Sequence, residues 1–471
     1  MVAGSVNSWK YRVASIIRVL RNAQPMQMTV PRTICFGFLV LITVGTVLLL
    51  LPFATVSGEW NDPLVALFTA TSAVCVTGLI VVDTGSYFSA FGEAVILTLI
   101  QVGGLGYMTA NTFLVLLLGR RLGLRERLAI QQSMDSAALA GGRSLILSII
   151  AMTLIFELTG LFCLYPVFSQ DYGSGYGLWL SVFHSISAFN NAGFSLFEDS
   201  IVGYALNPWV NAVITALVIV GGIGYQVIME LFAWLRNRFQ GNRCRGLFSL
   251  NFKVVTSTTA VLLVLGTLAF FVIEYQNPAT LGPETPYHKL LIAWFQSVIA
   301  RTAGFNTIDI GAMGNASLFI MIALMFIGAS PGSTGGGIKT TTIRILLAST
   351  RMALQGKEQV LCFRRQIPTS RVLKAIAVVV GSGLAVISAT ALLAISNPNL
   401  SFITVLFESV SAFATVGLST GITADLSDFG KYVVIVTMYL GRVGVLLFMG
   451  ALLGDPKPSA IQYPEEELLI G

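Results

Sequence analysis

The amino-acid sequence predicts an all-α polytopic membrane protein: four repeats of span, re-entrant loop and span, eight transmembrane helices about one central axis. Three observations lead there. Of 471 residues, 55% are hydrophobic and 11% charged, against roughly 25% charged in an ordinary soluble domain, so a water-soluble chain of this size could not cover its surface. Eight apolar runs, each about long enough to cross a hydrocarbon core, lie near 33–52, 93–118, 145–168, 209–235, 254–274, 315–347, 372–396 and 429–453. Between successive pairs of runs stand Gly78, Gly193, Gly304 and Gly417, separated by 115, 111 and 113 residues, and such a period marks a chain built from copies of one unit.

Other totals remove alternatives. The five cysteines contain no Cys-x-x-Cys pair, so neither a disulfide framework nor a zinc site is signalled. His184 and His288, the two histidines, read as local hydrogen-bonding residues rather than as catalysts or metal ligands. There is no intramembrane His-Glu-x-x-His motif and no pair of aspartates of the kind a membrane-embedded enzyme needs, so the chain is read as a non-enzyme.

The segments follow in order. Residues 1–32 form a basic amphipathic stretch (Trp9, Lys10, Arg12, Ile16, Ile17, Arg18, Leu20, Arg21), which reads as a cytoplasmic interfacial helix before a retained span. Repeat one is 33–118, followed by a linker at 119–144. Repeat two is 145–235, with a linker at 236–253. Repeat three is 254–347 and contains an interrupted segment at 328–340; a linker at 348–371, repeat four at 372–453 and a tail at 454–471 complete the chain. Of the 28 Lys and Arg, 24 lie before the first span, in these linkers, between Lys339 and Lys374, or in the tail, whereas the alternate connectors carry acids such as Asp83, Glu198, Asp199 and Asp309. By the positive-inside rule both termini are cytoplasmic. Since basic residues occur on every inner loop, the net charge of +6 does not mark a nucleic-acid partner; the basic loops suit anionic membrane lipid or a cytoplasmic partner. The tail Tyr463–Gly471 fits a dimer contact or a disordered end equally.

Each outer connector is too apolar for a simple hairpin and too short to span. Starting at Pro63, Trp179, Leu290 and Val405, each carries a short apolar stretch, a Ser- or Thr-bearing end, and a glycine followed by Leu or Phe. The geometry that remains is a helix that dips into the membrane and a chain that returns through the glycine. Non-helical backbone at that depth is tolerated where it lines a water-filled path. Four such loops would ring a central ion pore with carbonyl oxygens, and the helix C-termini add partial negative charge, which favours a cation. Hard oxygens without a carboxylate at these positions suit a monovalent ion better than Ca²⁺ or Mg²⁺.

The segment Gly328–Thr340 places Pro331 and five glycines (Gly328, Gly332, Gly335, Gly336, Gly337) inside an otherwise helical apolar run. These residues break a helix, so the segment reads as a flexible constriction, with Lys339 at its end. A phosphate-binding loop is the poorer reading, because Ile338 separates Gly337 from Lys339 and no strand precedes it. Arg442, in the last span, is costly in a membrane unless it meets a partner or cavity. Arg301 reads as sitting behind the third loop, bonded to carbonyls or to an acid, with Glu408 the candidate. Glu157 reads as a structural intramembrane acid. The clusters Gly103–Gly106 and Gly221–Gly224 read as close packing or kinks.

The segments ending at Gly78-Leu, Gly193-Phe, Gly304-Phe-Asn-Thr and Gly417-Leu-Ser-Thr-Gly closely resemble the filter loops of the Trk/Ktr/HKT superfamily of K⁺ transporters, over roughly residues 30–455. Eight spans without an extra N-terminal hairpin resemble the Ktr-type membrane subunit. The resemblance implies that carbonyls of Val76, Thr77 and Gly78, of Asn191, Ala192 and Gly193, of Thr302, Ala303 and Gly304, and of Thr415, Val416 and Gly417 bind K⁺. Relatives with Ser at the first filter glycine favour Na⁺, so Gly78 implies K⁺ selectivity. The resemblance also implies that Arg442 meets the Gly-rich loop and helps hold it shut. A structural role for Arg442, bonding the carbonyls of the broken helix, is compatible with this. It implies a homodimer in a bacterial cytoplasmic membrane, seated on a ring of KtrA-type nucleotide-binding subunits. No covalently bound cofactor is expected; K⁺ is the transported ion, and a Na⁺-selective or Na⁺-coupled transporter on the same scaffold is the alternative.

Overall fold

A computed structural model describes residues 30–106, 142–240, 248–357 and 359–453. The amphipathic segment before residue 30, the linker core at 107–141 and the tail from 454 lie outside the described residues. Among the described residues the regular structure is helical apart from the two-residue strands β1 (Leu361–Cys362) and β2 (Arg365–Gln366), which pair antiparallel.

In chain order the principal helices are α1 (Val30–Leu50), α2 (Pro63–Cys75), α3 (Ala90–Leu105), α4 (Gly142–Tyr172), α5 (Ser174–Phe189), α6 (Pro208–Ile223), α7 (Tyr225–Phe239) and α8 (Leu250–Ile273). They continue as α9 (Pro286–Ile299), α10 (Asn315–Phe326), α11 (Thr340–Leu354), α12 (Thr369–Ser396), α13 (Phe402–Ala414), α14 (Asp428–Val443) and α15 (Val445–Leu453). Among the described residues four helices, α1, α4, α8 and α12, are long and apolar enough to cross a membrane alone, and up to six spans result if the bent pairs α6–α7 and α14–α15 each count once. Exposed Leu373, Ile376, Val380, Leu384 and Ile387 put an apolar stripe on α12, as a lipid-facing helix requires.

The continuous runs expected at 209–235 and 429–453 are not straight. They turn by 104° and 96°, at Gly224 (φ 97°) and Gly444 (φ 84°), because a left-handed residue ends a helix and re-aims the chain. The run at 315–347 is likewise two helices, α10 and α11, separated by residues 327–339. In the first repeat α3 ends at Gly106 (φ 78°), and residues 107–118 of that expected run lie outside the described residues. A hydropathy window registers only apolarity, and these breaks lie within apolar sequence.

Three of the four short helices begin where their caps dictate. Asp62 accepts hydrogen bonds from the Leu64 and Val65 amides ahead of Pro63. Thr285 caps the His288 amide ahead of Pro286, and Ser401 caps the Thr404 amide. A side-chain acceptor followed by Pro at the first helical position is a strong start signal. Short helix α2 packs on α1 and α3, α5 on α4 and α6, and α13 on α12 and α14. Contacts also run from one repeat to the next, α3 to α5, α6 to α9, α10 to α13 and α14 to α2. This last contact closes the four repeats into a ring.

Three glycines make that packing close. A Cβ on Gly103, Gly221 or Gly441 would run into the carbonyl oxygen of Val74, Phe189 or Phe413 respectively, each near the end of the short helix of the same repeat. Gly221→Leu and Gly441→Leu are each expected to destabilise the protein by about 1–3 kcal/mol through overpacking. The check is the melting temperature of detergent-purified protein against Gly203→Leu, a site with nothing within 4 Å of an added Cβ; equal values for all three would refute the close packing.

Candidate ion pathway

The four short helices end at one place. Val76 and Thr415, the C-cap residues of α2 and α13, are left-handed, with φ of 56° and 51°. Asn191 (φ 57°) and Thr302 (φ 91°) occupy the matching positions after α5 and α9. All four stand two residues before their glycine. A left-handed β-branched residue is a strained choice that persists where its surroundings over-determine it, and here the same choice recurs in three of four repeats.

The turn redirects the amides. Thr77 N–H donates to Ser72 O at 2.8 Å, Ala192 N–H to Ser187 O at 2.8 Å, Ala303 N–H to Ile299 O at 3.0 Å and Val416 N–H to Ser411 O at 2.9 Å. Gly78 and Gly417 donate their amides to the hydroxyls of Ser72 at 3.1 Å and Ser411 at 3.2 Å. With the donors turned back into the helices, the carbonyl oxygens of the three predicted filter residues in each loop accept no hydrogen bond from any described residue. Buried carbonyls are ordinarily paired, so this set is poised for a guest that supplies positive charge.

The glycines meet as a closed set. An added Cβ on Gly78 would lie 3.1 Å from Gly193 Cα, on Gly193 2.7 Å from Gly304 Cα, on Gly304 3.3 Å from Gly417 Cα, and on Gly417 3.0 Å from Gly78 Cα. Each would also strike a carbonyl oxygen of the neighbouring loop: Ala192, Ala303, Val416 and Thr77 in turn. All four glycines line one cavity of about 350 Å³, whose wall also carries Asp83, Glu198, Asp199 and Asp309. Asp83, Glu198 and Asp309 each stand five residues after their glycine, so the repeat places negative charge at the mouth of the ring.

On the other side of the ring lies the Gly-rich segment. An added Cβ on Gly335 would strike Thr302 Oγ1, and one on Gly336 would strike Thr415 Oγ1 and approach Ala414 O to 3.2 Å. Thr334 Oγ1 donates to Phe189 O, the end of α5, at 3.3 Å. Gly328 and Gly337 pack on each other, with 3.0 Å from an added Cβ on Gly337 to Gly328 Cα, and Gly332 O accepts from Tyr225 N–H at 3.2 Å. The segment therefore sits directly against the base of the ring.

Three cationic side chains hold it. Arg442 Nη1 donates to Thr334 O at 2.6 Å, and Nη2 donates to Gly103 O. Lys339 Nζ donates to Gly335 O at 2.8 Å. Arg301 Nη2 reaches Gly328 O at 3.4 Å. Bonds from a charged donor are the stronger class. Of the two kinds of partner expected for Arg301, carbonyls or an acid with Glu408 the candidate, the structure gives a carbonyl, Gly328 O. Glu408 instead accepts from Ser419 Oγ at 2.9 Å and from Thr423 Oγ1, hydroxyls of the cavity wall, while Arg301 faces the Gly-rich segment. Their separation is a matter of level: Glu408 is in the middle of α13 and Arg301 beyond the end of α9.

Glu157 accepts from Asn190 Nδ2 at 3.0 Å and Gln101 Nε2 at 3.2 Å, which anchors the residue that precedes Asn191. Sequence reading isolated Glu157 but not its partners, since Gln101 and Asn190 lie in other segments with no shared spacing. His184 bridges Leu180 O at 2.8 Å and Ser195 Oγ at 3.0 Å, and His288 Nδ1 lies 3.5 Å from Glu284, so both histidines have local partners.

A family model described as a cation transport protein, TrkH, matches residues 22–449. The chain is 40% identical to Ktr system potassium uptake protein B of Bacillus subtilis, over 95% of this chain and 98% of that one. It is 36% identical to the potassium/sodium uptake protein NtpJ of Enterococcus hirae, over 96% and 99%. In fold it is similar to the crystal structure of the potassium transporter TrkH from Vibrio parahaemolyticus, with a TM-score of 0.71, 17% identity and coverage of 92% and 86%.

Proposed function

The chain belongs to the TrkH family of cation transport proteins, and from that premise we propose that it is the ion-conducting membrane subunit of a K⁺ uptake system. The observation that carries the proposal is the closed ring of Gly78, Gly193, Gly304 and Gly417, with unpaired carbonyls and an acidic vestibule. The residues Val76, Thr77, Asn191, Ala192, Thr302, Ala303, Thr415 and Val416 complete the filter. K⁺ collects in the vestibule, exchanges hydration for carbonyl oxygens, and leaves because no site binds it too strongly.

The segment containing Gly328, Gly332, Gly335, Gly336 and Gly337 is the gate, tied in place by Lys339 and Arg442. The four short helices are re-entrant, the remaining helices make eight spans, and both termini face the cytoplasm of a bacterial inner membrane. A homodimer surrounded by lipid docks through its basic inner loops on a cytoplasmic ring of nucleotide-binding subunits, which supplies the regulation. The relative named as a potassium/sodium uptake protein favours one second reading, in which Na⁺ is carried or coupled on the same scaffold.

The test is rescue of a K⁺-uptake-deficient bacterium at low K⁺, with and without a regulatory partner. Rescue that is strongest with the partner is expected. Failure in both conditions despite membrane expression would overturn the proposal, and growth that depends on added Na⁺ would favour the second reading.

A further inference from the structure

A ring of backbone carbonyls discriminates between ions only if its loops keep their spacing, and the short helix before each loop can supply that restraint. Three loops have a polar clasp to that helix. His184 on α5 meets Ser195 Oγ at 3.0 Å. Gln296 Nε2 on α9 donates to Thr307 Oγ1 at 3.2 Å. Glu408 on α13 accepts from Ser419 Oγ at 2.9 Å and from Thr423 Oγ1, and the two hydroxyl oxygens lie 2.9 Å apart. The register repeats: His184 and Glu408 stand nine residues before their glycine, and Ser195 and Ser419 two after it, with Gln296 and Thr307 each displaced by one residue. The first repeat has Thr69 and Ile80 at these places, and Ile80 has no group to bond.

The three clasping side chains are 0%, 1% and 0% exposed. Burying an acid among apolar helices is costly unless its oxygens are bonded, so Glu408 is an expensive residue where Leu would pack. Its two hydroxyl donors lie on the stretch that leaves the fourth filter loop, and the bonds fix that stretch to α13 on one side while Gly417 fits against Gly78 on the other.

We propose that Glu408, through Ser419 and Thr423, is a positioning residue that sets K⁺ over Na⁺ discrimination by holding the fourth filter loop at the spacing the larger ion requires. This rests on the filter reading above. Without the clasp the loop gains play, its carbonyls close on the smaller Na⁺, and discrimination falls while conduction persists.

The experiment measures K⁺ uptake and its inhibition by Na⁺ in Ser419→Ala, Ser419→Thr, Glu408→Gln and Gly417→Ser variants of the full chain, each first confirmed as folded by size-exclusion profile. Ser419→Ala and Glu408→Gln are expected to lower the K⁺/Na⁺ ratio about tenfold, the equivalent of ~1.4 kcal/mol, with uptake at saturating K⁺ retained; Ser419→Thr, which keeps the hydroxyl, is expected to retain the ratio. If Gly417→Ser moves the ratio but folded Ser419→Ala and Glu408→Gln do not, the ring is the filter and the clasp proposal is wrong. If Gly417→Ser leaves it unmoved as well, the filter reading itself fails. A fall in total uptake with an unchanged ratio would mark Glu408 as merely structural and also overturn the proposal.

Discussion

A Gly78→Ser variant is expected to lose at least tenfold in its preference for K⁺ over Na⁺ while the protein remains folded. Gly78 has a φ of 90°, a region that costs an ordinary L-residue about 1–2 kcal/mol. An added Cβ would also strike the Ala192 carbonyl oxygen of the second loop. Both conflicts are relieved in the same way, by rotating the peptide and moving loop one off loop two, and either motion changes where the carbonyls of Thr77 and Gly78 point. The surrounding helices need not move, because the glycine borders an open cavity. The measurement is competitive uptake of K⁺ and Na⁺ in cells expressing each form at matched levels; an unchanged ratio would remove Gly78 from the filter.

Arg442→Gln is expected to raise K⁺ flux in the absence of a regulatory partner by tenfold or more and to weaken the dependence on that partner. Arg442 joins two parts of the ring that are far apart in sequence, Thr334 in the Gly-rich segment and Gly103 at the end of α3. Hydrogen bonds to a charged group contribute about 1.5–3 kcal/mol each, so losing most of two of them shifts a closed segment substantially toward open. Lys339→Met is expected to act in the same direction and less strongly, since Lys339 bonds carbonyls three and four residues away within its own segment and links nothing distant. Flux through purified protein in vesicles separates these cases. If Arg442→Gln proves as closed as the parent, its bonds serve the architecture and not the gate.

The four glycines are legible because repetition is visible in a linear chain, the Gly-rich segment because Pro331 and clustered glycines break an apolar run, and the two residues before each filter glycine through the family resemblance. A glycine that is unremarkable alone becomes informative when it recurs after 115, 111 and 113 residues. The left-handed conformation at Val76, Asn191, Thr302 and Thr415 was not legible, since four different local sequences adopt it and tertiary packing imposes it. The bends at Gly224 and Gly444 escaped for the opposite reason: their surroundings are apolar throughout, and apolarity alone reads as an unbroken span. For Arg301 sequence leaves carbonyls or an acid open, and local geometry decides for a carbonyl, while Glu408 takes two hydroxyls. Two of the three clasps share a register, nine before and two after the glycine, and the third is displaced by one residue at each end, a pattern that becomes meaningful only once the loops are seen to fold back on their helices.

The central claim is that a monovalent cation is bound by the carbonyls of the four-glycine ring. Its most direct measurement is anomalous diffraction from crystals of the full chain grown with Tl⁺ or Rb⁺ in place of K⁺. Peaks on the axis, among the carbonyl oxygens of Val76 to Gly78, Asn191 to Gly193, Thr302 to Gly304 and Thr415 to Gly417, and absent from crystals grown in Na⁺ alone, are the predicted result. Strong peaks elsewhere, with none inside the ring at saturating ion, would contradict it.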